Sequence, residues 1–132
     1  MKFWKKIFAI LSLCIVSIGL TACGGSANID YDLASKGDTF TYTTVTNMQS
    51  SPSSYLNKTI KIRGKHKSNG STYHYLSGYD STNCCNWSME IRINDDSLEF
   101  PETNKNVVVV GDYKSKKVNG KTSYYLEVIE FV

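Results

Sequence analysis

Histidine and proline are scarce in this chain of 132 residues, with two of each, and neither sign of charge dominates. Two His leave little material for the common hydrolytic sites. No nucleophile elbow, phosphate-binding Gly loop, zinc-protease helix or Ser/His/Asp order is present. The carboxylates offer no better start: Glu90 and Glu127 fall near strand centres, and Asp95-Asp96 reads as a turn pair. A net charge of only +3 argues against a polybasic nucleic-acid binder and a disordered polyelectrolyte. The length allows one domain, hardly two. No apolar run reaches the roughly 20 residues that span a bilayer. No stretch is periodic enough at 3.6 residues to read as a major helix.

What is present begins with an unevenly placed charge. Lys2, Lys5 and Lys6 precede an apolar run, Ile7 to Leu20, and no acid lies among residues 1–22. Setting those three aside from 15 Lys+Arg leaves 12 against 12 Asp+Glu, so residues 23–132 are net neutral. A basic start, an apolar run and a small-residue site form a secretory leader. Leu20-Thr21-Ala22-Cys23 resembles the lipobox of bacterial lipoproteins. The resemblance implies that Cys23 receives a diacylglycerol and becomes the new N-terminus. The expected location is then the extracytoplasmic face of the cell membrane, held by lipid. Each buried CH₂ contributes about 0.8 kcal/mol, and two or more chains hold a protein stably on a bilayer.

Three regions follow: a leader over 1–22, the lipidated Cys23 with a flexible tether to 38, and a folded domain over 39–132. A tether of about 15 residues has an r.m.s. reach of roughly 20 Å. Of the four Cys, Cys14 lies in the leader and Cys23 carries lipid, so the domain keeps only Cys84 and Cys85. An extracytoplasmic setting permits disulfides.

The domain reads as strands. Thr39–Thr46 is β-branched and aromatic, with an alternating start. Ser50–Leu56 suggests one helical turn, with Pro52 at an early position. Thr59–His66 alternates, with Ile60 and Ile62 on one face. Asn69-Gly70 and Asn119-Gly120 are hairpin dipeptides. Trp87, Met89, Ile91 and Ile93 alternate inward. Residues 98–106 read as a loop or a short turn of helix, Val107–Val110 opens a buried strand, and Ser123–Phe131 is the last. The fold class expected is all-β: a small antiparallel barrel of five to six strands, with a two-sheet sandwich as the competing architecture. Tyr55–Gly64 and Val107–Tyr113 resemble strands of OB-fold domains, with Gly64 and Gly111 at bends. Cys84-Cys85-Asn86-Trp87-Ser88-Met89-Glu90-Ile91 is similar to a Cys-Cys motif of OB-fold-like lipoproteins from Gram-positive bacteria. Ser88 and Ile91 depart from the Gly and Phe usual there. That resemblance bears on fold and location more than on activity.

The adjacent Cys84 and Cys85 are the most unusual chemical feature. Neighbouring Cα atoms lie about 3.8 Å apart, below the usual disulfide range of about 4.4–6.8 Å. A strained vicinal disulfide, a thiol or metal site, and inert packing beside Trp87 all remain open. The speculative metal set is Cys84 and Cys85 with His66 and His74, although its spacing matches no standard zinc pattern. A three-residue loop centred on residue 70 would set the two His opposite each other, and a two-residue turn would part them. The plain reading of both His is solvation on a polar hairpin. The tyrosines, with Trp87 and Glu90, suggest a ligand face at Tyr73, Tyr75, Trp87 and Glu90. The expectation is a binding or interaction module, not an enzyme, with no cofactor. Its partner would be a membrane or wall protein, an oligosaccharide or a small molecule, and not nucleic acid. A thiol-redox or metal-handling lipoprotein is the alternative.

Overall fold

In the computed structural model, residues 28–132 are described. The expected leader, the lipobox and Cys23 lie outside the described residues. Five strands close on themselves: β2 (Thr59–Asn69), β3 (Tyr73–Tyr79), β4 (Asn86–Arg92), β5 (Asn106–Val118) and β6 (Lys121–Phe131). They run in the order β2-β3-β4-β6-β5, with β5 pairing back to β2. Closure leaves few strand edges to guard. The small all-β barrel expected from the strand spacing is therefore what forms.

The expected antiparallel pairing needs one correction. Directions cannot alternate all the way round a ring with an odd number of strands, so one neighbouring pair must be parallel. That pair is β4–β6, with Ile91 beside Leu126 and Arg92 beside Glu127. A sixth strand, β1 (Tyr31–Asp32), lies parallel to β2 on the edge that β3 leaves unpaired.

Period-two alternation fills the interior. Ile60, Ile62, Leu76, Met89, Ile91, Val109, Leu126 and Val128 point inward and are buried. Asn119 and Gly120 have φ of 50° and 78°, the left-handed pair that a tight hairpin needs between β5 and β6. Gly111 sits at a register shift in β5 against β6. A Cβ there would lie 2.8 Å from the Glu127 carbonyl oxygen, so only glycine lets the two strands approach.

Residues 39–46 are not a strand. They belong to a helix, α1 (Asp38–Ser50). Its buried residues are Thr41, Thr44, Val45 and Met48, at i, i+3, i+4 and i+7. The β-branched Thr and Val positions favour strand locally, but tertiary packing outweighs propensity. A plug is needed where the barrel opens, and α1 supplies it. Burying Val45 and Met48 contributes about 1.5–3 kcal/mol apiece. The Tyr113 hydroxyl donates to the Met48 carbonyl at 3.1 Å, satisfying an acceptor in the last helical turn. Burial, with a smaller effect from Tyr124, pushes the Tyr113 phenol up to about 12. Gln49 Nε2 donates to the Ser88 carbonyl at 2.7 Å, fastening α1 to β4. Pro52–Ser54 forms the expected single helical turn.

The expected tether is partly built into the domain. The Asp30 amide donates to the Thr59 carbonyl at 2.9 Å, and that of Leu33 to Lys61 at 2.7 Å. Leu33 is buried with Val45 and Met48. The folded part thus reaches back to about residue 30.

Candidate functional site

Three features carry chemistry: an outer groove, a cysteine loop and a histidine stack. The groove lies on the outward face of β2, β3 and β4. Along β3, Tyr73, Tyr75, Ser77 and Tyr79 face out, while Leu76 faces the core. Pairing sets Tyr75 between Lys67 and Glu90, and Tyr79 beside Asn86. The tyrosines and Ser77, with Lys67, Asn69, Asn86, Trp87 and Ser88, border an open groove of about 490 Å³, and Glu90 lies beyond its edge. Tyr73 and Tyr75 lie 5.6 Å apart between ring centroids, tilted by 40°. Arg92 Nε donates to Glu90 Oε1 at 2.6 Å, and Arg92 Cζ lies 4.1 Å from the centroid of the Tyr125 ring. Partial burial first, then the charges of Glu90 and Tyr75, raise the Tyr73 phenol above its ordinary value, with Arg92 opposing.

Of the four expected ligand-facing residues, Tyr73, Tyr75 and Glu90 share this outer face. Trp87 also lines the groove, but from beneath. Alternation along β4 turns its ring inward, where it is 5 % exposed. The ring lies flat across two strands because Gly64 and Gly78 leave room. A Cβ on either would come 2.9 Å and 2.7 Å from it, respectively.

Cys84 and Cys85 lie in the β3–β4 loop, which Asp80 organises. Its carboxylate accepts from the Thr82 hydroxyl at 2.8 Å and from the Cys84 and Cys85 amides at 3.2 and 3.4 Å. The Thr82 hydroxyl first, and then those amides, hold Asp80 below the usual carboxylate range. Asn83 takes a left-handed φ of 55° within the turn. Both thiols are free, with Sγ atoms 3.4 Å apart. The hydrogen bond to Cys84, then partial burial and the negative charge of Cys84 and Asp80, push the Cys85 thiol up. That disfavours the reactive thiolate.

The speculative Cys-and-His metal set is not brought together. His66 and His74 lie near the hairpin end of β2 and β3, and the cysteines follow the other end of β3. Among the described residues, no three His, Cys, Asp or Glu side chains gather as a metal-ligand group.

The histidines themselves are not simply solvated. The loop between β2 and β3 spans residues 70–72, which pairs Ser68 with His74 and His66 with Leu76. The two His are therefore diagonal on one face, in neither of the expected registers. His66 is buried, 1 % exposed. Its Nε2 lies 3.0 Å from His74 Nδ1, its Nδ1 lies 3.2 Å from the Glu102 carbonyl, and His74 Nε2 lies 3.4 Å from the Ser71 carbonyl. Phe100 stacks on His74 at 3.6 Å between centroids and meets Phe131 edge-on. A carbonyl only accepts, so Nδ1 of His66 carries a proton. The two imidazoles thus form a hydrogen-bonded row between two backbone carbonyls.

Phe100, Glu102 and Asp80 were not singled out from sequence, where each reads as an ordinary loop residue. No periodic signal marks a side chain that reaches back onto a barrel from a loop. No protein-family model matches the chain, and no curated protein matches it.

Proposed function

We propose that this is a lipid-anchored, extracytoplasmic binding module with an OB-fold-like barrel, whose ligand sits in the outer groove of β2, β3 and β4. The observation that carries the reading is the groove itself: three outward tyrosines on one strand, flanked by Lys67, Asn69, Asn86 and Ser88. Ring faces give contact area and the polar rim fixes orientation. The order β2-β3-β4-β6-β5 with its parallel β4–β6 pairing supports the OB-like reading, and such barrels hold oligomers on their strand faces. The partner would be an oligosaccharide, a small molecule, or a segment of a membrane or wall protein. The lipobox resemblance at Cys23 supports membrane anchoring.

Screening glycans and wall extracts by NMR tests the groove. A ligand should shift resonances of residues 73–79 and 86–90. Replacing Tyr73 and Tyr75 with Ala should weaken it by about tenfold or more, about 1.4 kcal/mol or above, with the fold unchanged. Binding indifferent to that pair would defeat the reading. A Cys23→Ala variant should lose membrane attachment, and persistent fatty-acid labelling would remove the anchor.

A thiol-based function is the second reading, supported by two free sulfurs in contact on an exposed loop. A Cys84→Ser/Cys85→Ser variant that keeps all ligand binding and reductant response leaves it without basis.

A further inference from the structure

The alternation that buries Ile60, Ile62 and His66 turns Lys61, Arg63, Lys65 and Lys67 to the outside of β2. Alternate positions on a strand stand about 6.6–6.8 Å apart, so the four cations form a row of about 20 Å. That spacing lies inside a Debye length of about 8 Å, so the cations repel one another unless something neutralises them.

The protein supplies little of that neutralisation. On the β5 side the facing residues are Val110, Val108 and Asn106, and on the β3 side Ser77 and Tyr75. Among the described residues the ion pairs are Arg92–Glu90 and Lys105–Glu102, and neither involves the row. Asp32, in register with Lys61 at one end, lines a groove with it and Arg63, and Asp38 lines another with Arg63 and Lys65, but neither carboxylate forms an ion pair with the row. Lys67 bonds to the Asn104 amide oxygen at the other. Arg63 and Lys65, at the centre, are exposed. A single-sign row of this kind on a domain of zero net charge is a local attractor for an anion of matching shape.

We infer that the outer face of β2 is a docking surface for a linear polyol-phosphate polymer, lying along the strand with successive phosphates beside successive cations. The row is a line rather than a plane, which fits an extended chain better than a bilayer. On the β5 side neither Val108 nor Asn106 offers a ring for a base to stack on, and on the β3 side Tyr79 stands alone beside Arg63 and Lys65, short of the succession of rings that a run of bases needs. The row shares Lys67 with the tyrosine groove, and Ser77 and Tyr79 of that groove also line the one beside Arg63 and Lys65, whereas Tyr73 and Tyr75 do not.

The full chain in detergent, titrated with poly(glycerol phosphate), tests this. Affinity should fall steeply between about 50 and 200 mM salt, as phosphate-dominated binding does. R63E/K65E should weaken binding by at least about tenfold, whereas K114E/K116E, on a basic patch elsewhere, should change it by less than about twofold. Thermal melts of each variant establish that the fold is kept, and R63Q/K65Q, expected to weaken binding in the same direction, replaces the charge reversal if it is not. Equal losses from both charge reversals, or none from R63E/K65E, overturn the proposal. So does tighter row-dependent binding to phosphatidylglycerol vesicles, which assigns the row to a membrane, or to a single-stranded oligodeoxynucleotide of equal charge. Replacing Tyr73 and Tyr75 with Ala should leave polymer binding intact, so that failure of the groove reading and failure of this one are told apart.

Discussion

The two ends of the barrel are closed in opposite ways. At the end where β2 and β4 begin, α1 inserts Val45 and Met48 beside Leu33, an apolar plug with the Tyr113 hydroxyl as its polar tie. At the hairpin end, His66, His74 and Phe100 stack beneath a loop, and hydrogen bonds to backbone carbonyls do much of the holding. The apolar closure is held mainly by packing. The polar one, a lid over the hairpin end, is held by directional hydrogen bonds. The plug end is thus the structural end, and at the lid end a single lost partner is felt locally.

The largest effect should come from the plug. Met48→Ala removes a fully buried side chain and leaves a cavity where α1 meets the barrel, costing about 2–5 kcal/mol. Urea unfolding should show the midpoint fall. A loss below 1 kcal/mol, the scale of a single hydrogen bond, would mean that α1 is peripheral.

The lid should cost less and break more locally. His66→Phe keeps an aromatic ring but deprives the Glu102 carbonyl and His74 of their partner, a penalty of about 1–3 kcal/mol. Amide exchange should speed up at Asn104 and Lys105, which flank the lid, while amides of α1 keep their protection. Equal loosening of α1 would dissolve the distinction between the two ends.

The smallest effect is at the cysteine loop, which touches the plug through the Thr39 and Ser81 hydroxyls at 2.6 Å. Asp80 is held below the ordinary carboxylate value of about 3.9, so its hold on the loop is full above that pH. It is lost as pH falls through the lower folded value. The Cys84 and Cys85 amide resonances should stay constant from neutral pH down to about 4 and move only below it. Movement near pH 6, where a His would titrate, would attribute the loop's order to something other than Asp80.

Legibility followed the local periods. In β2 and β4 alternation named the inward residues correctly, because a half-buried strand must repeat every two residues. Asn119-Gly120 announced its turn because both positions need φ above zero. The helix was missed for a specific reason: all eight residues from Thr39 to Thr46 are β-branched or aromatic, and the polar Thr41 and Thr44 hid a 3.6-residue stripe. The histidine register turned on where a three-residue loop is centred, which a shift of one residue alters. The basic row of β2 was written in the alternation all along, in the positions between the isoleucines.

By itself, then, the sequence determined the strands of the barrel, the inward faces of β2 and β4, and the uneven charge and cysteine usage that set residues 1–22 apart from a neutral remainder. Those are local properties, carried by period and composition. Only the tertiary structure decided that a β-favouring stretch becomes a helical plug, that Trp87 lies inward over two glycines, and that the histidines meet each other rather than the cysteines. Each of these depends on what arrives from a distant part of the chain once the ring of strands closes, and no local preference encodes that arrival.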